Sequence, residues 1–243
     1  RGQVARISPE APVPVLKLES EEHVLGGAAN VASNLLALGS EPLLVGVCGQ
    51  DQEGDLLRQE AAQRGLSPAG IVASPHRPTT VKTRVLSQNH QIVRIDREFP
   101  EPLDPETQQK ARDLIQKNLS GCRAVILSDY NKGMLTPGLT AWIIEEARSR
   151  GLRVFVDPKG RGFSKYRGAS FITPNHSEAE AAAGGASLST EEDLCRATRL
   201  WIMEENLEGM LITLGKRGLF IGCGRDDQFK CQSIEAEERE VYD

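Results

Sequence analysis

"RAVILSDYNKGMLTPGLTAWIIEEARSRGLRVFVDP", residues 123–158, decides the fold. Its opening "RAVILSD" (123–129) is an apolar run of strand character. "TPGLTAWIIEEARSRG" then reads as a helix closed by Gly151, and a glycine just past a helix end supplies the left-handed residue found there. "LRVFVDP" (152–158) is apolar again. Strand, helix and strand at this spacing make a βαβ unit, whose two strands run parallel.

The same rhythm recurs on both sides. "EPLLVGV" (41–47), "ASFITPN" (169–175) and "EGMLITLG" (208–215) read as further strands. "DQEGDLLRQEAAQRG" has helical spacing and ends at Gly65, with Asp51 as its cap, and helices are expected over about 105–119 and 190–206. The expected class is therefore α/β, a three-layer α/β/α arrangement around a mostly parallel sheet covered on both faces. Two stretches break the rhythm. "APVPVLKLES" (11–20) and "TTVKTRVLSQNHQIVRIDRE" (79–98) alternate partly with period two, the second turning near residues 88–90. They read as a small β-sheet forming a lid or interface. The division expected is one domain over 1–243, with lid segments at about 11–25 and 79–98 and an α/β body at about 26–78 and 99–243.

Composition narrows the function classes. The chain has 243 residues, 39% hydrophobic and 26% charged, enough to bury a core and too apolar for disorder. A formal net charge of −5 argues against a general nucleic-acid or membrane-surface binder, although a local group of cations could still hold a small anion. Cys48, Cys122, Cys195, Cys223 and Cys231 form no C-x-x-C pair, and the four histidines are scattered. Neither a zinc site nor a disulfide framework is expected, and a reducing, cytoplasmic setting is the simplest reading. No apolar run reaches membrane-spanning length. Arg at position 1 and the ending "EAEEREVYD" read as a piece of a longer protein.

Several short motifs could carry chemistry, and each has a plainer rival. In "ITPNHSEAEAAAG" (172–184), Asn175 and Glu178 have the spacing of a helix capping box. The same pair could face the phosphates and metal of a nucleotide. "LGGAANVASNLLALG" (25–39) opens a helix with Gly26 and Gly27, where backbone can approach a ligand and Asn30 could point toward it; taken alone, the segment is better read as a Gly-rich loop before an ordinary Ala-rich packing helix. "VDPKGRGFSKYRG" (156–168) gathers Lys159, Arg161, Lys165 and Arg167 in a loop at the C-terminal end of a strand, where open α/β sheets bind ligands. The cations could hold a phosphate or simply be solvated. Asp129 and Lys132 in "SDYNKGML" (128–135) invite the same two readings. "ITLGKRGLFI" (212–221) is a hairpin whose Thr213 and Gly215 could line a nucleotide pocket. The glycine fingerprints of dinucleotide folds and P-loops are both missing from the sequence.

Taken in order, these motifs resemble the ribokinase-like (PfkB) family of sugar kinases over nearly the whole chain. "GGAANVA" is similar to that family's N-terminal signature, and "PNHSE" to its N-x-x-E motif. "RISPEAPVPV", "RIDRE", "SDYNKG", "DPKGRGFSKYRGASFITPN" and "ITLGKRGL" resemble, more narrowly, the branch acting on D-glycero-β-D-manno-heptose 7-phosphate, often the first half of a bifunctional enzyme of ADP-heptose and lipopolysaccharide synthesis.

The resemblance implies a ribokinase-like fold and transfer of a phosphoryl group from ATP, with Mg²⁺, to O1 of the heptose phosphate. It places Gly26, Gly27, Asn30, Asp129, Lys132, Asp157 and Lys159 around the sugar phosphate. It places Asn175, His176, Ser177, Glu178, Thr213, Gly215 and Gly218 around ATP, with Glu178 reaching the metal through water. Asn175 and Glu178 can then cap the helix and face the nucleotide at once, since a helix start is itself favourable for anions. The family's G-A-G-D motif, which carries the general base and an anion hole, is absent and expected beyond Asp243. So is the first strand with its sugar-binding Asp, expected before Arg1. No catalytic base is assigned here, and the chain by itself is expected to be inactive. The alternatives are a kinase for another sugar or sugar phosphate, and a non-catalytic binder of sugar phosphate or nucleotide. A homodimer through the β lid is also implied.

Overall fold

The computed structural model describes residues 1–88 and 90–237. The chain divides into two compact units, residues 1–107 and 108–243.

The first unit carries a four-stranded sheet built from β1 (Gly2–Ile7), β2 (Pro14–Leu18), β5 (Val81–Ser87) and β6 (His90–Arg97), in the order β2-β1-β5-β6. The expected lid segments supply three of these strands. β1 was not expected, yet it pairs antiparallel with β2 from Gly2 opposite Leu18 to Ile7 opposite Pro14. β5 and β6 form the expected hairpin, with Gln88 at φ 54 in its turn; Asn89 lies outside the described residues. Both faces of this sheet show apolar side chains to solvent, including Ile7, Leu18, Ile92, Val93 and Ile95.

The same unit contains α1 (Gly27–Ala37), β3 (Gly46–Gly49), α2 (Gln52–Gln63) and β4 (Ile71–Ser74). Ala29 and Ala32 of α1 and Ala61 of α2 pack with Leu44, Cys48, Leu66 and Ile71 into a small core. β3 is shorter than "EPLLVGV" suggests. Its partner β4 begins only at Ile71, because residues Pro68–Gly70 form a 3-10 turn, so residues 41–45 have no ladder partner in that pair. Asp51 caps α2 as expected, accepting from the Gly54 N–H at 2.8 Å. Its second oxygen accepts from the Thr79 N–H at 2.8 Å, which ties the start of α2 to the strand entering the lid.

α3 (Pro105–Leu119) runs across the division. The second unit then follows the βαβ reading closely. β7 (Ala124–Ser128), α4 (Pro137–Ser149), β8 (Arg153–Asp157), β9 (Phe171–Ile172), α5 (His176–Ala182), α6 (Glu191–Glu204), β10 (Gly209–Thr213), β11 (Leu219–Cys223) and β12 (Lys230–Ile234) complete it. The sheet order is β12-β11-β10-β9-β8-β7; β7 to β10 are mutually parallel, and β11 and β12 return antiparallel.

Alternation along the strands sends Val154, Val156, Ile172, Met210, Ile212 and Phe220 to one face, where they are essentially sealed from solvent. Ile143 and Ile144 of α4, Ala179 of α5 and Leu194 and Ile202 of α6 meet them in one cluster. Each large aliphatic side chain buried this way contributes about 1.5–3 kcal/mol. β9 is only two residues long because Pro174 has no N–H to extend the ladder.

One expectation is corrected. Cys195 of α6 and Cys231 of β12 form a disulfide across 36 residues of sequence. Tertiary packing of the edge strand on α6 brings them together, and no short spacing motif announces it.

Asp104 precedes α3 and accepts from the Thr107 N–H at 2.9 Å and the Ser74 hydroxyl at 3.1 Å. Hydrogen bonds from Thr107, side chain and backbone, draw its carboxyl down to about 2. An acid with a depressed folded value stabilises the fold above its ordinary value, and that stability is lost as pH falls through the folded one. Thermal melts should therefore show Asp104→Ala below wild type at neutral pH, with the gap closing between about pH 4 and pH 2.

Candidate functional site

Four parallel strands stop at the same level, and their ends form a cleft of about 420 Å³. Asp129 and Tyr130 follow β7; Asp157 ends β8, with Pro158 and Lys159 next. Thr173 and Asn175 follow β9, Glu178 comes from the first turn of α5, and Thr213 ends β10. Backbone bonds carry the register past the strands. The Asp129 N–H donates to Asp157 O at 3.0 Å, Thr173 N–H to Val156 O at 2.8 Å and Thr213 N–H to Pro174 O at 3.0 Å. Asn175 and Thr213 form an isolated parallel bridge.

The capping box is complete. The Glu178 N–H donates to Asn175 Oδ1 at 2.9 Å, and the Asn175 N–H donates to Glu178 Oε2 at 3.1 Å. α5 is only seven residues long, so its own dipole is short. A side chain supplies the cation at the cleft: Lys159 Nζ lies 2.6 Å from Glu178 Oε1. The Lys159 side chain is half exposed, whereas that of Glu178 is largely covered. The hydrogen bond it donates to Glu178 holds the Lys159 ammonium above its ordinary value.

Asp129 is buried and fully engaged. It accepts from the Asn131 N–H at 2.7 Å, from Lys165 Nζ and from the Tyr166 hydroxyl at 2.7 Å. Asp157 is different. Its side chain reaches solvent at the strand end, yet desolvation by the surrounding protein, then the negative charge of Glu178, push its carboxyl up, and Lys159 offsets this only in part. A further positive charge among these acids would therefore be welcomed.

Of the residues singled out from sequence, Asp129, Asp157, Lys159, Asn175, Glu178 and Thr213 come together at this cleft. Lys132 lies in the turn after β7, and Ser177 in the first turn of α5, both outside the lining. His176 turns away, with Nε2 3.0 Å from Leu188 O. Gly215 and Gly218 form the turn beyond Thr213. Gly218 has φ 89, and a Cβ there would lie 2.0 Å from Ile234 O, so the turn is packed against the chain leaving β12. Gly26, Gly27 and Asn30 stand at the start of α1 in the other unit, with Gly27 at φ 55. The four cations of the 156–168 loop do not converge: Lys165 turns to Asp129, Arg167 pairs with Glu205 at 3.3 Å, and Arg161 is exposed. Tyr130, Thr173 and Tyr166 were not singled out, although they lie within the stretches "SDYNKG" and "DPKGRGFSKYRGASFITPN" that carry the resemblance. Among the described residues no group of three or more His, Cys, Asp or Glu side chains is placed to hold a metal by itself, and no helix is long and apolar enough to cross a membrane.

Residues 3–243 match the sequence pattern of the pfkB family carbohydrate kinases. The chain belongs to that family. It is 42% identical over its whole length to the bifunctional protein HldE of Trichlorobacter lovleyi, covering 48% of that protein. It is 43% identical over its whole length to the HldE of Wolinella succinogenes, covering 50% of it. The chain thus spans about half the length of the curated relatives it matches. Among solved structures, Escherichia coli phosphofructokinase-2 in complex with fructose-6-phosphate superposes with a TM-score of 0.71 at 16% identity, over 100% of this chain and 77% of that one. Ribokinase from Giardia lamblia superposes with a TM-score of 0.65 at 19% identity, over 86% of this chain and 65% of that one. At such identities the likeness concerns the fold, and it is the expected ribokinase-like α/β fold of the pfkB family.

The capping box gives a stability test of the site. Asn175→Ala should lower the unfolding free energy by about 1 kcal/mol in urea titration, and Asn175→Asp should keep most of it.

Proposed function

We propose that the protein is an ATP-dependent kinase that phosphorylates D-glycero-β-D-manno-heptose 7-phosphate at O1, within a bifunctional, cytoplasmic enzyme of ADP-heptose synthesis. The observation that carries this reading is the cleft where Lys159, Asp157 and the Asn175–Glu178 capping box meet at the aligned strand ends, in a chain over 40% identical to HldE proteins.

In the transfer, the O1 hydroxyl attacks the γ-phosphorus of ATP, the bond to the β-phosphate oxygen breaks, and ADP leaves. The hydroxyl proton passes to a carboxylate base, which the family supplies from a G-A-G-D sequence not contained in these 243 residues. Asn175, Glu178 and Thr213 border the nucleotide phosphates, with Ser177, Gly215 and Gly218 on the same side. Lys159 balances charge near the sugar's own phosphate, and Asp129, Lys132 and Asp157 frame that end. The donor set suits Mg²⁺, which keeps several waters and binds through one or two carboxylates and the phosphates rather than in an all-protein cage. Glu178 would hold it, beside an Asp157 whose raised carboxyl favours added positive charge. When bound, the metal neutralises charge building on the transferring group.

A coupled ADP-release assay on the full-length protein tests this. Turnover should appear with heptose 7-phosphate and not with ribose or fructose 6-phosphate. Turnover with another sugar alone would move the assignment to that sugar; binding without turnover would make the protein a regulator. The 243-residue chain by itself should fall short by about four or more orders of magnitude if the G-A-G-D sequence, which it does not contain, supplies the base and anion hole.

We also propose a homodimer through the four-stranded sheet. Val93 and Ile95 of β6 lie across from Val85 and Thr83 of β5 on one face, and Ile95 is 58% exposed. An apolar sheet face of this kind is an association surface. Sedimentation should show a dimer that Ile95→Lys converts to monomer.

A further inference from the structure

Tyr166 was given no role in reading the 156–168 loop, yet its hydroxyl stands at the junction of two site elements. The residue is completely buried. The hydroxyl donates to Asp129 Oδ2 at 2.7 Å and accepts from the Lys159 N–H at 2.9 Å, with the Lys159 carbonyl 3.2 Å away. A phenol has one proton, and the carboxylate is the stronger and nearer acceptor. Tyr166 therefore ties the backbone of Lys159 to the buried acid that follows β7.

The loop that carries Lys159 needs such a tie. Gly160 and Gly162 follow it, and Gly160 is at φ 129, so the loop has little stiffness of its own. Of the loop's four cations, Lys159 is the one lining the cleft, and its ammonium rests on Glu178. An incoming phosphate must take that ammonium over. With the backbone pinned, only the side chain has to swing; without the pin, the loop must be ordered at the moment of binding, which weakens it.

We propose that Tyr166 is a positioning residue: its hydroxyl holds the Lys159 backbone against Asp129 so that the ammonium can pass from Glu178 to a phosphate of the ligand. The inference rests on the kinase reading above. Tyr166→Phe is a clean probe, because Asp129 keeps its bonds from Asn131 and Lys165 and the ring still fills its space.

The test is a double-mutant cycle in the full-length protein, with magnesium AMP-PNP and inorganic phosphate titrated separately by calorimetry. Tyr166→Phe should weaken binding of at least one probe about 3- to 10-fold. In a Lys159→Met background the same change should have no further effect on that probe, since there is no ammonium left to position. The drop in melting temperature caused by Tyr166→Phe should be the same in both backgrounds, which separates folding from positioning. Equal weakening in both backgrounds, or none with either probe, would overturn the inference while leaving the kinase reading intact. Wild-type protein that binds neither probe would overturn the kinase reading, and this inference with it.

Discussion

Everything at the cleft depends on the register of four parallel strands. In a sheet, a slip of one residue turns each side chain to the opposite face. The bonds between Asp129 and Asp157, Thr173 and Val156, and Thr213 and Pro174 hold that register beyond the last ladder residues. The core sets it from the other direction: Val156, Ile172 and Met210 are neighbours in register on the face packed against the helices. Asp157, one residue beyond Val156, must then face away from that core and reach solvent at the strand end. The position of the polar residues is thus a consequence of where the apolar ones are buried.

Charge at the site is finely set. Asp129, Asp157 and Glu178 are acids, and Lys159 is the cation at the mouth. Asp129 is satisfied by three donors, although its charge still adds a little to the upward push on Asp157. At the mouth one ammonium stands between two carboxylates, and it offsets the raised carboxyl of Asp157 only in part. A polyphosphate alone would add negative charge to this arrangement. A polyphosphate accompanied by a divalent cation would not, and this supports the reading of a metal-nucleotide ligand over a bare anion.

Much of this was legible from sequence wherever pattern and local chemistry agree. The helices at 105–119 and 137–149 and the strands β7, β8 and β10 follow from periodicity, Pro starts and Gly stops. Asn175 and Glu178 were visible because a capping box is a local motif. β4 was not, since four residues between Gly70 and Pro75 give too short an apolar run to stand out. β12 was missed because an edge strand reading "KCQSI" has little alternation to show. The pairing of Cys195 with Cys231 and the junction at Tyr166 are tertiary facts, made by elements that meet only after folding. The loop cations failed in a third way: "KGRGFSKYR" shows how many positive charges exist, but not that Lys165 and Arg167 are already committed to Asp129 and Glu205.

Glu178 shows how stability and ligand exchange can be separated within one side chain. Its Oε2 accepts the Asn175 N–H and completes the start of α5, while its Oε1 accepts Lys159. The two oxygens answer to different elements. When Lys159 swings away, the cap bond on Oε2 has no reason to break, so the helix start does not loosen as the cation changes partners. The freed Oε1 then faces the cleft with its lone pairs open, available to water or a hydrated cation. Had the capping residue been Gln, its amide nitrogen would have faced Lys159 or Asn175 N–H with a donor, and one of the two contacts would have been lost. A carboxylate, with acceptors on both oxygens, is the group that can serve the helix and the site together.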